Sequence, residues 1–160
     1  VFINNLSMLN PGSEIYISKP EGNMNLENDV SAPVVFISGG IGITPARSLI
    51  ENEIKNDSGR DITLLYSNKT ESQTAFLEDF KKWSSENKNF IFIPLIEDLT
   101  NLNWKYEFGC IDKIILNQYL TDHKKNFYYL IGPAPMIDSI SKTLFQMGVS
   151  KNNIKTETFS

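Results

Sequence analysis

Short, continuous apolar runs recur along this chain, and between them lie stretches whose apolar residues fall three or four apart. Val34-Val35-Phe36-Ile37-Ser38, Ile62-Thr63-Leu64-Leu65-Tyr66, Phe90-Ile91-Phe92-Ile93-Pro94-Leu95 and Phe127-Tyr128-Tyr129-Leu130-Ile131 are the runs. A strand that is apolar on both faces has to be covered on both faces, which is the situation of a parallel sheet clad in helices. The helical spacing appears from Pro45 to about Lys55, with Ala46, Leu49, Ile50 and Ile54 on one side, before Asp57-Ser58-Gly59 stops it. It returns from Thr74 to about Ser84, with Phe76, Leu77, Phe80 and Trp83, and again over a short helix that Asp112 would cap, ending near Leu120. A last helix runs from Ala134 to Met147 and turns Met136 or Ile137, Ile140, Leu144 and Met147 inward, with Gly148 as its stop. Ile154 to Phe159 is long enough for a closing strand, and the irregular stretch Glu97 to Cys110 is read as loop. This alternation predicts an α/β fold, an open parallel sheet with helices on both faces. A length of 160 residues suits one compact domain with room for a short extra segment.

That extra segment is expected at the front. Asn10-Pro11-Gly12-Ser13 is a turn signal, and Glu14-Ile15-Tyr16-Ile17-Ser18 alternates as a half-buried antiparallel strand does. The polar, turn-rich stretch Lys19 to Ser31 then reads as a linker. The net charge of −4, with its lysines scattered, offers no basic stripe for nucleic acid. One cysteine, Cys110, and one histidine, His123, leave too few ligands for a cysteine framework or a histidine metal cluster, so no metal is expected. Cys110 reads as a core thiol and His123 as a surface imidazole. No run approaches the roughly 18–20 apolar residues of a membrane helix, and Val1-Phe2-Ile3-Asn4-Asn5-Leu6 turns polar too early for a signal peptide, so a cytoplasmic chain is expected.

Chemistry concentrates where strands end. Ser38-Gly39-Gly40-Ile41-Gly42-Ile43-Thr44-Pro45 lies between the first apolar run and its helix. Glycines there permit a tight turn and let a diphosphate reach the backbone with no Cβ in the way. Thr44 suits an N-cap and Pro45 the first helical position, and a capped helix N-terminus is a natural anion seat. The second run ends in Tyr66-Ser67-Asn68-Lys69-Thr70, where a dinucleotide fold meets the adenosine ribose. No carboxylate stands at that tip, while Ser67 and Lys69 could take a 2′-phosphate, which tilts the expectation toward NADP and leaves NAD open. The fourth run enters Gly132-Pro133-Ala134-Pro135-Met136, a second glycine at a strand end beside a helix start.

GGIGITP after one buried strand, YSNKTESQTAFLEDF after the next, GPAPM after a later one and IKTETF at the end, in this order, resemble the ferredoxin–NADP reductase superfamily. The resemblance covers about residues 33 to 160, and PGSEIYISKPEGNM resembles the tail of that family's flavin-binding β-barrel. It implies a barrel tail and linker over residues 1–28 and an NAD(P)-binding domain over 29–160. It implies a cofactor site built from Gly39, Gly40, Gly42, Ile43, Thr44, Pro45, Ser67, Asn68, Lys69, Gly132, Pro133, Met136 and Phe159, with Glu157 as a polar, candidate catalytic group near the nicotinamide. It implies hydride transfer from NAD(P)H to FAD and then single-electron transfer to a ferredoxin- or flavodoxin-like acceptor, or to another. The flavin would sit in a barrel domain carried upstream or on another chain, so this chain alone is expected to be inactive and without retained FAD. Membrane contact is expected only if helices precede Val1. The family's Arg-x-Tyr-Ser flavin segment is absent, Ile131 stands where many members carry cysteine, and Lys19-Pro20-Glu21-Gly22 replaces Gly-Pro-Phe-Gly. The alternative is a non-catalytic nucleotide-sensing or subunit-interaction module that never meets a flavin.

Overall fold

A short helix, α1 (Phe2–Ser7), precedes the first apolar run in the computed structural model, which describes residues 2–19 and 24–159. The first run becomes β1 (Val34–Gly39), which passes through a single 3₁₀ turn, Gly40–Gly42, into α2 (Ile43–Lys55). β2 (Ile62–Asn68), α3 (Leu77–Glu86) and β3 (Phe90–Ile96) follow, then a two-residue β4 (Glu107–Phe108), α4 (Lys113–Tyr119), β5 (Phe127–Gly132), α5 (Ala134–Gln146) and β6 (Ile154–Thr158). The strands form one parallel sheet in the order β4-β3-β2-β1-β5-β6. The chain therefore steps outward from β1 in one direction through β2 and β3, then returns to β1's other side with β5. Between β1 and β5 the winding reverses, and open α/β sheets bind ligands outside the strand ends at such a reversal.

Successive side chains on a strand face opposite ways, and the two cores follow from that. Val35, Ile37, Leu65, Tyr128 and Leu130 pack under α4 and α5, against Ile115, Leu116, Ile137, Ile140 and Leu144. Val34, Phe36, Leu64, Tyr66, Tyr129 and Ile131 pack on the other face, against Ile43, Ala46 and Ile50 of α2 and Phe80 of α3. Asp112 caps α4 by accepting from the amides of Ile114 and Ile115 at 2.8 and 3.0 Å. Gly148, at φ +84°, ends the turn after α5, as its position predicts.

Several expectations are corrected. Glu14–Ser18 forms no strand and pairs with no other segment among the described residues; Tyr16 is 99% exposed. An alternating sequence becomes a strand only beside a partner that takes up its backbone groups, and no antiparallel neighbour stands there. The expected turn residues Pro20, Glu21 and Gly22 lie outside the described residues. The second helix starts at Leu77, three residues later than the periodicity predicts. Phe76 lies before it with φ +59°, a left-handed conformation that periodicity cannot register. Within the expected loop Glu97–Cys110, Glu107–Phe108 pairs with Leu95–Ile96 as a fifth parallel neighbour, anchored by buried Trp104, whose indole donates to the Glu107 carbonyl at 2.8 Å. Cys110 is exposed, not a core thiol. His123 is half-buried, its Nε2 3.0 Å from the Asn117 side-chain oxygen.

The segment read as a linker is fastened along its second half. Met24 and Leu26 pack against the α2–α3 core. Arg60 is 4% exposed and donates to the carbonyls of Glu27, Asp29 and Ala32 at 2.7, 2.9 and 3.3 Å, while its Nε pairs with Glu53 at 2.9 Å. On the other side of the strap, Lys155 pairs with Glu27 at 2.7 Å and the Glu27 amide donates to the Tyr129 hydroxyl at 3.0 Å. Among the described residues, no helix is long and apolar enough to cross a membrane.

Candidate functional site

A cleft of about 870 Å³ opens at the carboxyl ends of β1, β2, β3 and β5, where the sheet reverses. Its wall is mainly apolar, and its size falls within the roughly 300–1,000 Å³ of small-molecule sites. Gly39, Gly40, Ile43, Thr44, Ser67, Asn68, Lys69, Pro133 and Met136 line it, so three sequence segments read separately meet on one surface. Gly42, Pro45, Gly132, Glu157 and Phe159 do not line it.

The glycines serve different purposes. Gly40 has φ +54° and open space where a Cβ would be, so its need is conformational. Gly42 is buried, and a Cβ there would lie 2.7 Å from the Ile131 carbonyl carbon and closer still to its oxygen. Its absence of a side chain lets the start of α2 rest on the backbone of β5. Gly39 and Gly132 face each other across the strand pair: added Cβ atoms would meet the Met136 Sδ at 2.6 Å and the Met136 Cε at 2.8 Å respectively. Met136 thus fills the space two glycines leave, beside the cleft.

Thr44 is not the cap. Its hydroxyl donates back to the Ile41 carbonyl at 3.1 Å, because the helix already begins at Ile43 behind the 3₁₀ turn. Pro45 consequently occupies the third helical position, still within the first turn, where no intrahelical bond is lost. α2 and α5, thirteen residues each, both begin at the cleft, Ile43 of one and the Pro133–Pro135 stretch of the other lining it. Helix N-termini carry partial positive charge and free amides, which suits an anionic ligand.

At the outer rim, Lys69 is exposed, and among the described residues no carboxylate pairs with it. Asn68 is 6% exposed and its side-chain amide nitrogen has no partner, a buried donor left over in the cleft wall. Glu71, which follows the β2 tip, is turned away, accepting from Asn101 at 2.8 Å. The carboxylate that does line the cleft is Glu97, from the end of β3, held there by its amide bonding to the Asn68 carbonyl at 3.0 Å. Sequence reading missed it because β2 and β3 ends are adjacent only in the sheet.

Phe76 was also missed in this role. Its ring is 44% exposed, lines the cleft and stacks against the Arg47 guanidinium at 4.6 Å. Glu51 and Asp79 hold Arg47 at 3.1 and 3.0 Å, so the ring has a rigid back and a free front. Such a face accepts a flat heteroaromatic ring. Cys110, from the loop after β4, lines the same cleft. On the far edge, Glu157 sits in register with Ile131 on β6, and the Phe159 amide donates to the Gly132 carbonyl at 3.1 Å, just outside the cleft lining. No group of three or more metal-binding side chains is assembled among the described residues.

Comparison with known proteins gives a consistent likeness. The oxidoreductase NAD-binding domain family matches residues 36–142. One subunit of the Na(+)-translocating NADH-quinone reductase of Actinobacillus succinogenes is 33% identical over an alignment of 156 residues that covers 94% of this chain and 38% of that protein. The chain therefore spans about two-fifths of the length of such relatives. Among solved structures, the CS-b5R domains of human Ncb5or in the NAD+ form superpose with a TM-score of 0.81 at 23% identity, over 98% of this chain and 45% of that one. A ferredoxin NADP+ reductase from Neisseria gonorrhoeae with bound FAD and NADP superposes with a TM-score of 0.67 at 18% identity, over 80% and 56%. These two likenesses are of fold.

Proposed function

Because the chain belongs to the oxidoreductase NAD-binding domain family, of the ferredoxin–NADP reductase type, we propose that its cleft seats NAD(P)H for a flavin-dependent electron-transfer enzyme. The observation that carries this reading is the convergence of the Gly39–Gly40 turn, the Ser67–Lys69 tip and the Pro133–Met136 turn on one cleft at the sheet's reversal. The chain's own work is binding and orientation. The Gly40 turn and the start of α2 take the diphosphate; Phe76 backs the adenine; Pro133 and Met136 shape the opposite end for the nicotinamide. Gly42, Pro45 and Gly132 act one layer behind, by holding the lining residues in place, and Glu157 and Phe159 stand at the rim beside Gly132. FAD would supply the hydride acceptor and release electrons one at a time. The flavin is assigned to a separate domain, with residues 1–28 leading from it. The electron acceptor, a ferredoxin- or flavodoxin-like protein or another carrier, would meet that flavin, and the chain alone would bind nucleotide without turnover. The location is taken as cytoplasmic, where reduced nicotinamide nucleotides are held.

Calorimetric titration with NADPH, NADH and ADP tests the reading, and the single thiol provides an independent check. Cys110 lines the cleft, so saturating nucleotide should slow its alkylation several-fold. Unchanged alkylation together with no heat of binding would reject the nucleotide site.

Choice between the two nucleotides rests on two opposed charges at the rim. Lys69 favours a 2′-phosphate, and Glu97 favours a ribose 2′-hydroxyl and repels a phosphate. The similar reductase subunit is named for NADH. Lys69→Ala should weaken NADPH about three- to fivefold, the upper scale of an exposed charge contact, while NADH stays within about twofold. Equal losses for both nucleotides would remove Lys69 from the 2′ position.

A further inference from the structure

Tyr66 is wholly buried on β2, its ring set edge-on to Phe80 with centroids 6.4 Å apart, yet its hydroxyl reaches the end of the neighbouring strand. There it donates to the Gly40 carbonyl at 3.1 Å. The same carbonyl accepts from the Ile43 amide, so its oxygen is held from the core side by two donors. Burial pushes the phenol pKa up, so the hydroxyl stays a neutral donor near pH 7.

A peptide unit is planar and trans, so the N–H lies opposite its carbonyl. With the Gly40 oxygen held inward, the Ile41 N–H is turned outward, to the side on which Gly40 and Ile41 line the cleft. Gly40 at φ +54° can also rotate more freely than any other residue, and a flipped Gly40–Ile41 peptide would present a carbonyl to an incoming anion. An oxygen facing a diphosphate repels it; an amide facing it binds it.

We infer that Tyr66 is a positioning residue for the diphosphate, its hydroxyl locking the Gly40–Ile41 peptide with the Ile41 N–H aimed into the cleft. The inference rests on the nucleotide reading of the cleft. It assigns to a buried tyrosine near the carboxyl end of β2, itself in the cleft wall, a part in ligand selection. A specific consequence is that the hydroxyl matters for ligands that carry the diphosphate and not for the nucleoside alone.

The test is Tyr66→Phe, which keeps the buried ring and removes one oxygen. Amide-resolved NMR titrations of the whole chain with ADP and with adenosine compare wild type and variant. In wild type, ADP should move the Ile41 amide proton downfield and adenosine should not. In Tyr66→Phe, ADP affinity should fall about fivefold, the scale of one hydrogen bond, with adenosine affinity unchanged and a smaller Ile41 shift at saturation. Undiminished ADP affinity in the variant, or an equal loss for ADP and adenosine, would overturn the positioning role while leaving the nucleotide site intact. A wild-type chain that binds no ADP would overturn both.

Discussion

Gly42→Ala is expected to destabilise the fold by about 3 kcal/mol and lower Tm by roughly 6–12 °C, although it adds only one methyl group. The new Cβ would sit 2.7 Å from the Ile131 carbonyl carbon, and both partners are backbone. Neither can rotate aside as a side chain would. Relief requires moving the 3₁₀ turn and the first turn of α2 away from β5, which also pulls Ile43 and Ala46 from the core they help fill. Gly40→Ala, two residues earlier, provides the contrast. It meets nothing within 4 Å and suffers only from its φ of +54°, so its cost should be about 1–2 kcal/mol. Thermal denaturation of the two variants separates lack of room from backbone strain. A Gly42→Ala variant as stable as Gly40→Ala would contradict the close approach of α2 to β5.

Arg60→Met should cost about 3–5 kcal/mol, the scale for removing one member of a buried ion pair. Methionine fills much of the space, but it leaves the Glu53 carboxylate without its partner and takes one donor from each of three carbonyls, of Glu27, Asp29 and Ala32. The damage should therefore be local as well as global. Hydrogen exchange should speed up over residues 27–32 well before the core strands lose protection. Adding Glu53→Leu to Arg60→Met removes the stranded charge and should recover part of the stability while leaving the strap loose. If Arg60→Met alone changes stability by less than 1 kcal/mol and exchange over 27–32 is unaltered, Arg60 does not fasten the strap. The hollow of about 360 Å³ beside this pair, at the amino ends of β2 and β3, is accordingly not a rival ligand site, since the guanidinium is already engaged by the protein.

Much of the sheet was legible because each buried strand carries its own signal. β1, β2, β3 and β5 announce themselves as apolar runs that no other environment would favour, and their order with the helices implies a parallel sheet. The glycine turn was legible for the same local reason: tight turn, small residues, helix start. Helix limits were less so. Thr44 looks like a cap by type, yet the 3₁₀ turn moves the helix start ahead of it. Phe76 fits the apolar period of α3 and yet lies outside it, in a left-handed conformation, with its ring in the cleft. Glu14–Ser18 shows the converse error, a strand pattern with no partner to realise it.

By itself, the sequence determined which segments are buried, which are helical, and that glycine turns stand at two strand ends, because these depend on residue type and local period. Only the tertiary structure decided what meets across the sheet. Strand order brings β1 beside β5 and so places Met136 in the space left by Gly39 and Gly132. It brings Glu97 next to Lys69, turning a rim read as basic into one with both charges. It sets the hydroxyl of Tyr66 under Gly40, twenty-six residues away, and Arg60 under the strap. Those contacts join residues distant along the chain, and the free energy that selects them comes from packing the whole sheet, which no local pattern records.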